Sequence, residues 1–241
     1  MFNNIIFLNN DDFVLTYKGL INLSEDSIHF WSFDINNLKQ HSLHFYNVLS
    51  ESEKSRSNRF QFEDHRVRYT LTHGILRYLL AYYTSSEPEK VKISVSDKGK
   101  PAILSNMYNI YFNISHSENL IVIAICKGKE IGVDIEIIRT DRNIASISKH
   151  YFNYNEKVNF ENIEDSLKLL YFYYLWTFKE ALLKAQGVGL TASIKDICLI
   201  LREPDLHKMF YEGKYNFNCE DFVFSIFKLT GCFVSSLAVK I

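Results

Sequence analysis

The order of helical and strand patterns recurs on either side of one short polar segment, and this recurrence limits the folds open to the chain. The segment is Lys127-Gly128-Lys129, a polar, glycine-containing seam. A long helical pattern followed by strands precedes it, and a strand, a second long helical pattern and further strands follow it. We therefore expect an α+β protein with two similar halves, residues 1–128 and 129–241.

The periodicity of apolar residues gives the expected helices and strands. Steps of three and four residues predict helices over residues 52–83 and 155–186. Alternation and short apolar runs predict strands at residues 27–35, 91–95, 110–114, 120–126, 130–138, 194–201, 221–229 and 232–240. Residues 97–101 and 115–119 are rich in turn-forming residues, and we expect turns there.

Composition narrows the class of protein and of partner. Of the 241 residues, 47% are hydrophobic and 23% are charged, with three prolines, which is typical of a globular chain rather than a disordered one. The formal net charge of -1 gives no basic field for nucleic acid. An anionic ligand must therefore be held by a local cluster, and a small phosphorylated ligand fits better than DNA.

The cysteines and apolar segments suggest where the protein works. The four cysteines are widely spaced and show neither paired metal-ligand spacing nor the density of a disulfide framework, so we expect reduced thiols. The clean apolar stretch at residues 120–126 is much shorter than the roughly 20 residues of a membrane span. The first ten residues lack the basic start of a secretory signal. We expect a soluble, cytoplasmic protein without a membrane partner.

Two carboxylates alternate with apolar residues in Gly132-Val133-Asp134-Ile135-Glu136. On a strand, Asp134 and Glu136 point to the same face, because side chains alternate with period two. Such a pair suits Mg²⁺, which accepts one or two carboxylates and leaves positions for phosphate oxygens. The alternative is an exposed strand face with solvated acids, and spacing alone does not exclude it.

The second long helical pattern carries another acid beside lysines. Trp176, Glu180 and Lys184 are four residues apart and share one face, while Lys179 is displaced by one position. A surface Glu–Lys pair would explain this spacing equally well. The apolar residues around them and the glycines that follow favour a partly buried site.

Other polar residues are ambiguous when taken one at a time. His116 follows a predicted strand, where binding groups are common but structural histidines are more common. A basic cluster is interleaved with acids, which is also typical of a solvated helix face. Its members are Lys54, Arg56, Arg59, Arg66 and Arg68.

Together these segments resemble the 4'-phosphopantetheinyl transferase superfamily, in particular its two-domain, Sfp-type enzymes. The resemblance covers most of the chain in matching order. Its motifs are Arg68-Tyr69-Thr70-Leu71, Gly99-Lys100-Pro101, Phe112-Asn113-Ile114-Ser115-His116-Ser117, Ile131-Gly132-Val133-Asp134-Ile135-Glu136, Trp176-Thr177-Phe178-Lys179-Glu180-Ala181 and Gly187-Val188-Gly189-Leu190. It implies the pseudo-twofold fold of that family, with the active site between the two halves.

The resemblance also implies a metal site and a coenzyme A site. Asp134, Glu136 and Glu180 would bind Mg²⁺, or Mn²⁺ in its place, and Glu180 and Lys184 would be catalytic. Residues implied in coenzyme A binding are Arg56, Arg68, Lys100, Pro101, Ser115, His116, Asp134, Lys179 and Lys184. Of these, His116 would contact the 3'-phosphate and Arg68 would lie near the adenine.

The implied reaction is attack by a serine hydroxyl of an apo acyl or peptidyl carrier protein on the β-phosphate of coenzyme A. Adenosine 3',5'-bisphosphate would leave, and a monomer would suffice because both halves lie in one chain. Two alternatives stay open: a Mg²⁺-dependent hydrolase of the coenzyme A pyrophosphate, and a non-catalytic coenzyme A-binding protein. The resemblance does not choose between fatty acid, polyketide and peptide synthesis.

One departure from the family pattern concerns the 3'-phosphate. Relatives carry two basic residues three positions apart upstream of the first long helix, and the first of these places is Glu53 here. Arg56 takes the second place, and Lys54 is the neighbouring candidate to replace the missing group. We therefore expect weaker recognition of the 3'-phosphate.

Overall fold

The chain forms two compact units in the computed structural model. The structure describes residues 4–9, 11, 13–16, 21–189, 194–201, 214–219, 221–229 and 231–241. One unit, here the N-terminal unit, comprises Phe2–Val95 and Pro101–Gly128, and the other, the C-terminal unit, comprises Ser96–Lys100 and Lys129–Ile241. Residues 96–100, which the sequence assigned to the first half, thus group with the second unit.

The N-terminal unit is built on a four-stranded sheet. The strands of the whole unit are β1 (Asn4–Asn9), β2 (Ser27–Asp34), β3 (Ile93–Val95), β4 (Pro101–Ile103), β5 (Ile110–Ser117) and β6 (Leu120–Lys127). The sheet has the order β1-β2-β6-β5, with β1 parallel to β2 and the other pairs antiparallel. Strands β3 and β4 form a separate antiparallel pair.

In the described part of this unit, five α-helices accompany these strands, and the last of them forms one wall of the core. They are α1 (Phe13–Thr16), α2 (Ile35–Leu38), α3 (Ser42–Asn47), α4 (Glu51–Asn58) and α5 (Glu63–Thr84). Along α5, Leu71, Ile75 and Leu79 are fully buried in the cluster that also contains Phe33 and Ile123 of the sheet. This apolar stripe has the helical spacing seen in the sequence.

The single helix predicted for residues 52–83 is two helices, α4 and α5. Helix α4 ends at Asn58, and Phe62 has extended backbone angles before α5 begins. The break lets α4 fold back on α5: the hydroxyls of Ser57 and Thr70 lie 2.9 Å apart, and the centroids of the Phe60 and Tyr69 rings are 5.4 Å apart. No proline or glycine marks this break, so the sequence pattern does not reveal it.

The C-terminal unit also has a four-stranded sheet and a helix of 22 residues. Its helices are α6 (Ile144–Tyr151), α7 (Tyr154–Asn162) and α8 (Asp165–Gln186). Its strands are β7 (Ile131–Ile137), β8 (Lys214–Cys219), β9 (Phe222–Lys228) and β10 (Phe233–Lys240), and all neighbours in the order β7-β10-β9-β8 are antiparallel. The α+β class is confirmed.

Helix α8 lies against β7 and β10 and is buried along most of its length. The helix predicted for residues 155–186 is divided into α7 and α8, because Ile163 and Glu164 have extended backbone angles between them. Among the described residues, no helix combines the length and the apolar character required to cross a bilayer.

The strand predicted for residues 194–201 is not a strand. Side chains of α7 replace a strand partner there: Asn159 Nδ2 donates to the Leu201 carbonyl at 2.6 Å, and Leu199 N–H donates to Glu156 Oε1 at 2.9 Å. Strands β1, β4 and β8 were also not predicted from the sequence pattern. Short strands are hard to find from periodicity alone.

A buried ion pair joins α4 to α5. Glu53 completes the capping box of α4 by accepting from Ser50 N–H at 2.8 Å, and Arg77 Nε donates to the same carboxylate at 2.7 Å. Burial alone would raise the pKa of Glu53, but hydrogen bonds from His73, Ser50 and Arg77 outweigh burial and lower the pKa to about 2. The Glu53 carboxylate therefore stabilises the packing of α4 on α5, which explains why an acid stands where the family pattern has a basic residue.

We predict that Glu53 stabilises the folded chain in a pH-dependent way. Its pKa of about 2 in the folded chain lies below the ordinary value of 4.5, so its contribution is complete above pH 4.5 and is lost as the pH falls from 4.5 towards 2. At pH 7, Glu53→Gln should lower the free energy of unfolding by about 2 kcal/mol. The difference from the unsubstituted chain should shrink below pH 4.5 in urea titrations.

The matched control is Glu51→Gln. Glu51 is 91% exposed and pairs with the neighbouring Lys54, so its loss should change stability by less than about 0.5 kcal/mol at either pH. A Glu53→Gln effect that stays constant down to pH 3 would contradict the account.

Candidate active site

Gly132 lets α8 pack directly on the backbone of β7. A Cβ atom at this position would lie 2.0 Å from the Ala181 carbonyl oxygen and 2.4 Å from the Ala185 nitrogen, both backbone atoms of α8. Neither can move without moving the helix, so only glycine fits. This contact brings the polar face of α8 beside the acids of β7.

Both predicted acids of β7 lie on one face of the strand. Asp134 is buried at 5% exposure, and Glu136 is half-buried, two residues further on. The strand is fixed at this point by β10, since Asp134 pairs with Ser236 and the Ser235 hydroxyl donates to the Asp134 carbonyl at 2.6 Å. The solvated strand face, the alternative from the sequence, does not apply to Asp134.

Helix α8 adds an acid and a lysine to this face. Lys184 Nζ donates to Asp134 Oδ1 at 2.7 Å and to the Val133 carbonyl at 3.1 Å. Glu180, one helical turn earlier, is buried at 8% exposure. The exposed Glu–Lys surface pair considered from the sequence does not apply, because Glu180 is buried and Lys184 binds an acid of the strand.

The three carboxylates repel one another. Burial raises the pKa of Glu180 to about 7, and the charges of Asp134 and Glu136 add to this rise while Lys184 opposes it. Burial, followed by the charge of Asp134, also raises the pKa of Glu136. A further positive charge would relieve this repulsion.

The donor set suits a divalent cation in its chemistry. Mg²⁺ prefers carboxylate oxygens and usually takes only one or two of them, with phosphate oxygens and waters completing its coordination. In the described part of the chain, no three His, Cys, Asp or Glu side chains stand close enough together to hold a metal ion by themselves. The carboxylates of β7 and α8 are donors of the kind that a cation bound to a phosphate ligand would use.

Lys179, which was predicted to bind coenzyme A, is a core residue instead. It is fully buried, and its ammonium contacts Glu156 Oε2 at 2.7 Å and the carbonyls of Ile194 and Ile197 at 2.9 and 2.7 Å. Glu156 is buried as well and also accepts from Asn153 N–H at 2.9 Å. The pair joins α7, α8 and residues 194–199.

Lys100 is held within the C-terminal unit. Its ammonium contacts Glu130 and donates to the Ala185 carbonyl at 2.8 Å, at the end of α8. The helix ends at Gly187, whose φ of 69° is left-handed and favours glycine. Pro101 is half-buried at the start of β4. Lys100 therefore anchors its loop to α8.

The remaining predicted ligands lie in the N-terminal unit. Arg56 is exposed and lies over the Tyr69 ring at 5.6 Å. Arg68 is half-buried, and its Nε atom is buried without a hydrogen-bond partner among the described residues.

Ser115 is buried and His116 is exposed, and both lie on β5 rather than in the predicted turn. Lys54, the proposed replacement, pairs with Glu51.

Sequence models of known protein families match both units of the chain. A model described as the 4'-phosphopantetheinyl transferase superfamily matches residues 130–227, and one described as 4'-phosphopantetheinyl transferase, N-terminal, matches residues 36–128. The 4'-phosphopantetheinyl transferase HetI of Nostoc sp. is 34% identical over 192 residues, or 78% of this chain and 80% of that protein. The chain belongs to the 4'-phosphopantetheinyl transferase superfamily.

Further relatives agree with this family. The 4'-phosphopantetheinyl transferase Sfp of Bacillus subtilis is 25% identical over 177 residues, which cover 70% of this chain and 77% of that protein. The 4'-phosphopantetheinyl transferase AcpT of Escherichia coli is 33% identical over 111 residues, 46% of this chain and 55% of that protein. The resemblance is confirmed, and the chain is a transferase enzyme.

Sequence reasoning did not find two contacts of Glu136 in this transferase or the buried partner of Lys179. Arg142 lies 3.6 Å from Glu136 Oε2, and Trp176 Nε1 donates to Glu136 Oε1 at 3.2 Å. Glu156 pairs with Lys179. The capping box Asn153-x-x-Glu156 is readable in the sequence, but its link to Lys179 is not, because it depends on how α7 packs on α8.

We predict that Gly132→Ala destabilises the transferase and lowers its activity. The added Cβ must push α8 away from β7, which should lower the free energy of unfolding by about 3 kcal/mol and displace Glu180 and Lys184. Gly231→Ala is the control, since its Cβ meets nothing within 4 Å and its φ of 72° costs only about 1 kcal/mol. Equal effects of the two substitutions on activity would contradict the role of Gly132.

We predict that Lys179→Met acts on stability rather than on coenzyme A binding. It leaves the Glu156 carboxylate buried without its cation, which should cost about 3 to 5 kcal/mol. Adding Glu156→Gln should recover part of the loss. Calorimetric titration of the folded fraction with coenzyme A should give a dissociation constant within twofold of the unsubstituted chain.

Lys184→Met is the contrasting substitution. Lys184 is 28% exposed and pairs with Asp134, so its loss should weaken coenzyme A binding with a smaller loss of stability. A tenfold weaker affinity in folded Lys179→Met protein would restore Lys179 as a ligand.

Proposed function

We propose that this transferase moves the 4'-phosphopantetheine of coenzyme A to a serine of an apo acyl or peptidyl carrier protein. The observation that carries the proposal is the coupled group on β7 and α8, in which Lys184 binds Asp134 beside the buried Glu180 and the half-buried Glu136. A buried acid cluster beside a lysine is suited to a charged pyrophosphate and its cation.

The reaction is a phosphoryl transfer in which all atoms are accounted for. The serine oxygen forms a bond to the β-phosphorus of coenzyme A, and the bond from that phosphorus to the bridging oxygen breaks. Adenosine 3',5'-bisphosphate leaves with the bridging oxygen. The serine proton passes to the Glu180 carboxylate, and general-base help of this kind typically contributes about 10²- to 10⁴-fold.

Positive charge at the pyrophosphate is supplied by Lys184 and by a cation. Lys184 Nζ would contact phosphate oxygens and offset the charge that develops on them. Asp134, Glu136 and Glu180, together with phosphate oxygens of the ligand, would hold Mg²⁺, or Mn²⁺ in its place, and the ion would neutralise charge on the pyrophosphate. Among these groups only Glu180 takes a proton.

Residues of the N-terminal unit are proposed for the nucleotide end of coenzyme A. The exposed His116 and Arg56 are suited to the 3'-phosphate. The Nε of Arg68, which has no hydrogen-bond partner among the described residues, is a donor that a ligand could satisfy. Ser115, Lys100 and Pro101 complete the proposed set. Lys179 is left out of it.

The 3'-phosphate has fewer basic partners here than the family pattern implies. Glu53 binds Arg77 and Lys54 binds Glu51, so Arg56 remains as the basic residue of the pair and we expect weaker binding of the 3'-phosphate.

We predict that Glu180→Gln lowers the transfer rate by at least 100-fold with little change in stability. The amide keeps the shape of the side chain but can neither take the serine proton nor supply a charge to the cation. Intact-mass analysis of an apo carrier protein incubated with coenzyme A and Mg²⁺ measures the rate.

Glu164→Gln is the matched control, because Glu164 is exposed at the start of α8. It should leave the rate unchanged. Transfer by Glu180→Gln within threefold of the unsubstituted chain would remove Glu180 from the site. Cleavage of coenzyme A without any gain of mass on the carrier would favour the hydrolase instead.

We predict that His116→Ala raises the KM for coenzyme A about tenfold and changes kcat little. A lost hydrogen bond to a charged phosphate costs about 1.5 to 3 kcal/mol of binding, and the 3'-phosphate is remote from the reacting phosphorus. His150→Ala, which removes an exposed histidine of α6, should leave KM unchanged. An unaltered KM in His116→Ala would exclude the contact.

A further inference from the structure

Trp176 touches the acid cluster directly. Trp176 lies on α8 and Glu136 lies on β7, and the indole Nε1–H donates to Glu136 Oε1 at 3.2 Å. An N–H donor to a carboxylate is a charge-assisted hydrogen bond, which is stronger than one between neutral groups. The nitrogen of Trp176 therefore has a partner in the site described above, although the ring itself offers no ligand atom to a metal.

The ring of Trp176 is held in place by aromatic neighbours. It stacks on Phe172 with centroids 6.2 Å apart and planes at 13°, and Tyr151 meets it edge-on at 5.3 Å and 82°. Phe172 belongs to the same helix one turn earlier and is fully buried. The direction of the indole N–H is thus set by packing rather than by Glu136.

Glu136 depends on Trp176 for its orientation more than on its other partner. Arg142 lies 3.6 Å from Glu136 Oε2 and is 34% exposed, so this ion pair is long and partly screened by solvent. The Glu136 side chain is itself 24% exposed. A partly exposed carboxylate that is repelled by Asp134 would otherwise turn towards solvent.

We propose that Trp176 is a positioning residue that holds the Glu136 carboxylate for a divalent cation. The inference rests on the proposed function, in which Glu136 is one of the cation's ligands. Partners that orient a ligating carboxylate typically change metal affinity 10- to 100-fold when they are removed. Trp176 thereby joins the aromatic packing of α6 and α8 to the acids of β7.

The test is Mn²⁺ binding to the purified full chain in the presence of coenzyme A, measured by water-proton relaxation and corrected for Mn²⁺ bound to coenzyme A without protein. Trp176→Phe keeps a ring between Phe172 and Tyr151 but removes the N–H. We expect its dissociation constant for Mn²⁺ to rise about tenfold. If Trp176→Phe fails to fold, 3-benzothienylalanine in place of Trp176 keeps the indole shape without the N–H and should give the same shift.

Trp31→Phe is the matched control. It also deletes an indole hydrogen bond, but that bond goes from Trp31 Nε1 to the Tyr83 hydroxyl at 3.0 Å in the N-terminal unit. It should lower the melting temperature and leave Mn²⁺ affinity unchanged. A purely structural role for Trp176 would give the same result, with affinity within twofold of the unsubstituted chain, and would overturn the inference alone. Absence of Mn²⁺ binding by the unsubstituted chain in the presence of coenzyme A would overturn both the inference and the proposed cation.

Discussion

The close contact of α8 with β7 at Gly132 is the constraint on which the candidate site depends. The strand alone offers Asp134 and Glu136, and the helix alone offers Glu180 and Lys184. They form one electrostatic group only because helix and strand backbones approach more closely than any side chain at position 132 would allow. The hydrogen bond from Lys184 to Asp134 then joins the two elements across this contact.

Helix α8 uses its two lysines for opposite purposes. Lys179 and Lys184 are five positions apart, which on a helix turns their side chains by about 140°. Lys184 therefore faces the acids of β7, while Lys179 faces the core and closes the buried pair with Glu156. A buried ion pair is costly to break, so Lys179 would be retained in such a helix for folding even if it never met a ligand.

The sequence predicts those features that depend on local pattern and fails where distant elements decide. The strand with Asp134 and Glu136 and the long helix with Glu180 and Lys184 follow from periodicity, and the family follows from the order of the motifs. The breaks before α5 and α8 carry no proline or glycine, and residues 194–201 lack a strand because α7 side chains bind their backbone. The partners of Lys179 and Glu136 likewise depend on packing between segments far apart in the chain.

The central claim is that these acids and Lys184 serve the transfer of phosphopantetheine with a divalent cation. The most direct measurement is the intact mass of a panel of apo carrier proteins after incubation with the unsubstituted chain, coenzyme A and Mg²⁺, with and without EDTA. The account predicts that at least one carrier gains a single phosphopantetheine and that EDTA prevents the gain. A gain of equal size in EDTA would contradict the proposed cation, and no gain on any carrier of the acyl and peptidyl classes would contradict the proposed transfer.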